Sequence, residues 1–327
     1  MDKAVTFGEI MLRLSPSNGK RIAGADKFDA HFGGAEANVA VMLAGLGVHA
    51  AFVTELPNNG LGDAASDTLT RLGVDMSNTV RGGERLGLYY CERAGSSANV
   101  VYDRKGSAVA VADPSDFDWK NILRGADWFH FTGITPSLSD SLKTACEQAV
   151  VCARETGVTV SCDLNYREKL WDIRSARETM IEYMRYVDYF IVNEHQAREV
   201  FGIRPRSDGD HAYTEIADTL TREYGLKGVG ITIRGSAGDR MTRRALFYTE
   251  GKPYFSDNYA FRAAETVGGG DAFCAGLIYA IMKGYSHGDA VEFAVAASRL
   301  KHDIPGDFAS VPPSAVEAVV RSDKKND

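Results

Sequence analysis

Short apolar runs and helical periodicity alternate along most of this chain. Val5 to Gly8, Ala51-Phe52-Val53, Trp128 to Phe131, Val158 to Cys162, Tyr189 to Val192 and Val229 to Ile233 read as buried strands. Ala35 to Gly45, Ala64 to Leu72, Ser141 to Glu155 and Ser175 to Tyr186 read as helices between them. Strands that alternate with helices predict an α/β protein with a mostly parallel sheet covered on both faces. After Gly270 the pattern is helical to the end: Asp271 to Lys283, His287 to His302, and a last short helix from Pro312-Pro313.

One region breaks the rhythm. Leu86 to Arg93 and Asn99 to Arg104 read as a hairpin joined by Ala94-Gly95-Ser96-Ser97, and Val109 to Ala112 is a candidate third strand. Residues 11–30 also lack helical periodicity. These pieces predict a small β addition, either a lid, an oligomer contact or a plain surface hairpin. A homo-oligomer paired through such strand edges is expected. The polar tail 321–327 is expected to fray.

Composition removes several classes. The net charge is −7, which argues against a nucleic-acid partner. The longest apolar stretch, Ala272 to Met282, has 11 residues, too short to span a bilayer. The beginning of the chain lacks the flanks of a secretory signal, so no membrane partner and a cytoplasmic location are expected. Five cysteines without a C-x-x-C, and scattered histidines, point to no disulfide framework and no metal site built from protein ligands.

Glu265-Thr266-Val267-Gly268-Gly269-Gly270-Asp271 carries the most chemistry. Three glycines open an apolar helix, where close backbone approach and free N–H groups suit an anion. Asp271 is placed either as a helix cap or as a base beside that anion. No P-loop, H-E-x-x-H or G-x-S-x-G motif occurs.

Gly33-Gly34-Ala35-Glu36-Ala37-Asn38-Val39-Ala40 resembles the N-terminal signature of the ribokinase-like (PfkB) carbohydrate kinases. Residues 265–271 are similar to their C-terminal signature, D-T-x-G-A-G-D. The two occur in family order, and the resemblance covers residues 3–320. It implies one ribokinase-like, doubly wound kinase domain over 1–320, with a β lid from about 11–30 and 85–112. It also implies ATP with Mg2+, a sugar acceptor, Asp271 as base, and Gly268, Gly269 and Gly270 as the oxyanion turn. Glu265 and Gly269 stand where the family commonly has Asp and Ala; the second change is expected only to loosen the turn. The family's Asn-x-x-Glu near the magnesium–phosphate site is here Asn193-Glu194-His195-Gln196. Gln196 lacks the carboxylate, leaving Glu194 as the candidate replacement.

The acceptor is read from charge. Many relatives for neutral sugars carry an Asp five residues after Gly8; this chain has Arg13, which either meets an acidic sugar or points to solvent. Arg104 follows the lid hairpin, and Arg167 follows a strand end, where open α/β sheets bind ligands. Arg167 either forks onto a carboxylate or pairs with Glu168 or Asp172. Tyr89 and Tyr102 either close over the sugar or simply pack. FGEIMLRLSP, GGAEANVAV, FHFTGITP and VSCDLNYR resemble the family branch that phosphorylates a 2-keto-3-deoxy sugar acid at its terminal hydroxyl. That resemblance assigns substrate contacts to Gly34, Tyr89, Tyr102, Arg104, Ile134 and Arg167. It assigns nucleotide contacts to Asn193, Thr232, Arg234, Ser236, Gly268, Gly270 and Ser298. A fructokinase-like acceptor is the first alternative, opposed by Arg13 and Arg167. A catalytically weak sugar-binding regulator is the second, favoured only by Gln196.

Overall fold

The computed structural model describes residues 2–94 and 97–323. Gly95 and Ser96 of the predicted turn and residues 324–327 of the tail lie outside them.

The body is a nine-stranded sheet. From one edge the strands run Lys252–Phe255, Arg240–Thr249, Gly228–Ala237, Tyr189–Val192, Thr159–Asp163, Trp128–Thr132, Lys3–Phe7 and His49–Val53, with Tyr259–Phe261 also on Arg240–Thr249. From Gly228–Ala237 to His49–Val53 every pairing is parallel. Beyond Gly228–Ala237 the sheet continues antiparallel. The side chains of each strand alternate between two cores. Ala4 and Phe52 pack under helices Ala35–Gly45, Gly269–Met282 and His287–Lys301. Val5, Phe7, Ala51 and Val53 pack against Asp140–Thr156 and Ile173–Met184 on the other face.

Chain order sets the position of the crevice. The first strand, Lys3–Phe7, has its sequence neighbour His49–Val53 on one side, and all later parallel strands build out on the other. The switch therefore falls between Lys3–Phe7 and Trp128–Thr132, where ligands bind outside the carboxyl ends of the strands.

The segments expected to form a lid make a separate four-stranded sheet in the order Phe28–Gly33, Met11–Pro16, Gly87–Ala94, Ser97–Asp103. The expected third strand at Val109 to Ala112 is instead a helical turn, Val109–Val111, with Val109 and Ala110 buried. Val109 and Ala112 join the core beside Phe117 and Trp119, so this segment pairs with no strand edge. The last helix, Pro313–Asp323, includes residues 321–323 assigned above to the tail.

Candidate active site

One cavity of about 510 Å³ opens between lid and body. Its floor is drawn from Glu9, Ile134, Asp163 and Asn193, at or just past consecutive strand ends, and from Thr232 within the next strand. Its wall is the turn from Thr266 to Asp271, and its roof includes Tyr89, Tyr102 and Arg104.

The turn is held from beneath. Glu265 accepts hydrogen bonds from the N–H groups of Thr266 at 2.8 Å and Val267 at 3.2 Å. Gly268 caps the helix Gly269–Met282 with φ +83°, a left-handed conformation that favours glycine. A Cβ there would lie 2.9 Å from both the Asp307 carbonyl oxygen and Lys301 Cε. Gly269 does more than loosen the turn: a Cβ on it would lie 2.5 Å from His302 Nε2. The His302 ring fills the space an alanine would need. Its Nδ1 bonds the Glu265 carbonyl at 2.7 Å, and burial pushes it down to about 4, so it stands neutral.

Asp271 makes no capping bond. Its Oδ2 accepts from Asn38 Nδ2 at 2.6 Å. Burial raises its carboxyl to about 6, against the lowering effects of Asn38 and Arg167. Asn38 sits one turn into the helix that begins after Gly34. A Cβ on Gly34 would come within 1.9 Å of the Glu9 carbonyl oxygen, so only glycine lets this helix approach the first strand. Asp163 is a second buried carboxyl in the cavity, raised by burial and then by the charge of Asp271.

Glu36, also lining the cavity, accepts from Thr132 N and Oγ1 at 3.0 and 2.7 Å and from Thr135 Oγ1 at 2.7 Å. It ties the loop bearing Ile134 to the helix bearing Asn38.

The arginines differ sharply in their surroundings. Arg13 neither points to solvent nor lines the cavity. It is buried, 2.9 Å from Asp307 and 3.1 Å from Glu265. Its charge is met by two carboxylates beneath the site, correcting both readings of it. Arg104 lines the cavity with its Nε on Glu9 Oε2 at 2.7 Å and its guanidinium 5.5 Å from the Tyr102 ring centre. Arg167 lines the cavity and, among the described residues, forms no ion pair with Glu168 or Asp172. The chain reaches it through Asn165, at φ +37°, whose N–H is held by Asp163 Oδ1 at 3.1 Å. Tyr89 is buried and donates its hydroxyl to Asp307, while Tyr102 is 42% exposed.

On the nucleotide side Thr232, Arg234 and Asn193 line the same cavity. A small adjoining hollow takes in Thr232, Arg234, Gly270 and Ser298. Ser236 lies on the exposed end of its strand and lines neither. Arg243, which the sequence reading missed, stands opposite Arg234 in the antiparallel register and lines both hollows. Burial and Arg234 push Arg243 down to about 10. Two like charges directly across strands repel, which an anionic ligand between them relieves. Asn193 and Gln196 form a reciprocal capping box, with Gln196 N donating to Asn193 Oδ1 at 2.9 Å. Glu194 turns away from the cavity to Arg198, at 2.6 Å, so it does not replace the missing carboxylate.

A cavity roofed by a second sheet, a glycine turn at a helix start and two facing arginines over a doubly wound sheet suit a sugar kinase. Residues 1–312 match the pfkB family carbohydrate kinases, and the chain belongs to that family of ATP-dependent sugar kinases. It is 34% identical to a 2-dehydro-3-deoxygalactonokinase of Haloferax volcanii, over 97% of this chain and 96% of the relative. It is 26% identical to a 2-dehydro-3-deoxygluconokinase of Thermoproteus tenax, over 98% and 95%. The crystal structure of the 2-dehydro-3-deoxygluconokinase of Thermotoga maritima superposes with a TM-score of 0.95 at 47% identity, covering 98% of this chain and all of that one.

Proposed function

We propose that this chain transfers the γ-phosphoryl group of ATP to the terminal hydroxyl of 2-keto-3-deoxygluconate, giving the 6-phosphate and ADP. The observation that carries the reading is Arg167, a cation facing the cavity with no ion pair among the described residues. It is supported by the gluconokinase relatives and the 47% identity to the Thermotoga structure. The galactonate epimer is the second reading, favoured by the 34% identical Haloferax relative.

The chemistry follows from placement. Asp271 accepts the proton of the acceptor hydroxyl as its oxygen bonds to the γ-phosphorus and the bond to the ADP oxygen breaks. Asn38 holds the acceptor oxygens of Asp271 in place at 2.6 Å. The N–H groups of Gly268, Gly269 and Gly270 meet charge on the phosphoryl oxygens; one such donor is typically worth about 3 kcal/mol. Arg234 and Arg243 attract the remaining phosphates. Arg167 forks onto the sugar carboxylate, and Tyr89, Tyr102 and Ile134 cover the carbon chain.

Among the described residues no three His, Cys, Asp or Glu side chains converge into a metal cage. A magnesium ion would rest mainly on the nucleotide phosphates, with Asn193 and Gln196, which line the cavity, the side chains that would hold it. When bound it neutralises phosphate charge.

The test is ADP release with both epimers, fructose and ribose, and assignment of the phosphorylated carbon by NMR. Phosphate on the terminal carbon of the gluconate form supports the reading. Preference for the galactonate form transfers it to the epimer, and preference for a neutral sugar removes it.

A further inference from the structure

Lys301 is a buried cation near the site that the phosphoryl-transfer scheme above leaves without a task. It closes the helix His287–Lys301 and is 1% exposed. Among the described residues its ammonium has no salt bridge; Nζ donates instead to two backbone carbonyls, Ile304 at 2.9 Å and Gly306 at 2.8 Å. A buried ammonium carries a large desolvation penalty unless its surroundings answer the charge. Burial holds its pKa below the usual lysine value; Glu265, Asp307 and Asp271 oppose that through space, Arg13 adds to it, and the two carbonyl dipoles answer the charge at contact.

Its position gives that charge a use. Lys301 Cε lies 2.9 Å from where a Gly268 Cβ would stand, so the lysine stem packs under the residue that opens the glycine turn. The neighbouring residue joins the same two segments: Ala264 N and Glu265 N both donate to the His302 carbonyl at 2.9 Å. The segment 301–307 thus forms the underside of the turn 264–268, and the Lys301 ammonium folds that segment around itself through the two carbonyls.

We propose that Lys301 is a built-in monovalent cation of the phosphoryl-transfer site, fixing the 301–307 segment beneath the Gly268–Gly270 turn and adding positive charge behind it. It is a positioning residue: it lines neither hollow and acts through the turn. The inference rests on the kinase reading of that turn and not on which sugar is the acceptor.

Chemical rescue separates a positional role of Lys301 from a purely structural one. Lys301→Ala leaves room for a small cation between the two carbonyls, whereas Lys301→Met fills it. Both should lower kcat by at least about 10-fold with KM for ATP little changed, a smaller loss than the ~10²–10³-fold for removing a donor that touches the oxyanion. Ammonium or potassium salts should restore much of kcat to Lys301→Ala and little to Lys301→Met, and tetramethylammonium should restore neither. The wild-type rate should be the same in sodium, potassium and tetramethylammonium salts, because its cation is already in place. Assays use whichever acceptor the wild-type enzyme phosphorylates fastest, so a wrong sugar assignment shows separately in the wild-type control. Unchanged kcat in the variants, or a loss that no monovalent cation relieves, overturns the proposal. Should neither variant fold, the wild-type salt series decides: indifference supports it, and strong activation by one cation overturns it.

Discussion

Replacing Arg167 separates recognition of a sugar acid from recognition of a sugar. Of the arginines around the site, Arg13 is matched by Asp307 and Glu265, and Arg104 by Glu9. Arg167 faces the cavity without such a partner among the described residues, and the cavity also holds the carboxyls of Glu9, Asp163 and Asp271. Without Arg167, a substrate carboxylate enters a field of its own sign. Arg167 is exposed in the open cavity; once a bound sugar acid shields the pair, truncating one partner costs on the order of 2–5 kcal/mol. The lower bound is about 30-fold, so Arg167→Ala should reduce kcat/KM for 2-keto-3-deoxygluconate by at least that factor. Arg167→Lys keeps the charge but loses the planar fork, and should fall between. A neutral ketose should lose less than about 3-fold, since it offers no carboxylate to the fork. Arg167 also lowers the Asp271 carboxyl, so its removal moves the protonation of the base to higher pH. The comparison therefore belongs near pH 8, where the base is ionised in both enzymes. Coupled ADP release over a substrate series gives the ratios. Equal losses for acid and neutral sugar, or a loss below about 3-fold for the acid, would refute carboxylate recognition by Arg167.

Three further outcomes follow from the same geometry. Asp271 must be ionised to accept a proton and its carboxyl is raised to about 6, so kcat should climb as pH rises through about 6 and level above it; a kcat flat from pH 5 to 8 would remove Asp271 from that role. Arg13→Ala strands Asp307 and Glu265 and should cost about 3–5 kcal/mol in urea unfolding; unchanged stability with a raised KM for the sugar would return Arg13 to substrate contact. Glu194→Gln should leave the magnesium titration unchanged because Glu194 is engaged by Arg198 at 2.6 Å, and an increased magnesium requirement would contradict that.

The strands and helices that carry the crevice were legible because each has its own periodicity, and the glycine turn because its backbone demands are local. Partners across the chain were not. Asn38 and Asp271 are 233 residues apart, and their bond exists only after two helix starts meet over the switch point. Sequence reports the charge of Arg13 but not the two carboxylates that cancel it, so charge alone pointed to the substrate. The arginine pair 234 and 243 depends on register in an antiparallel extension that the helix–strand alternation did not announce. Gly269 looked like a relaxed version of an alanine until His302 was placed against it. Val109 to Ala112 has strand composition, but Val109 and Ala112 were claimed by the core beside Trp119 while Val111 stays exposed.

If Asp271, held by Asn38 at the start of the glycine-turn helix, takes the acceptor proton as proposed, removing its charge stops transfer and spares binding. Single-turnover transfer from ATP by Asp271→Asn, with ATP and sugar binding measured on the same protein, tests it most directly. Transfer should fall by about 10²–10⁴-fold with both affinities within a few-fold of wild type. Transfer above about a tenth of the wild-type rate, or a loss explained by failure to bind ATP, would contradict it.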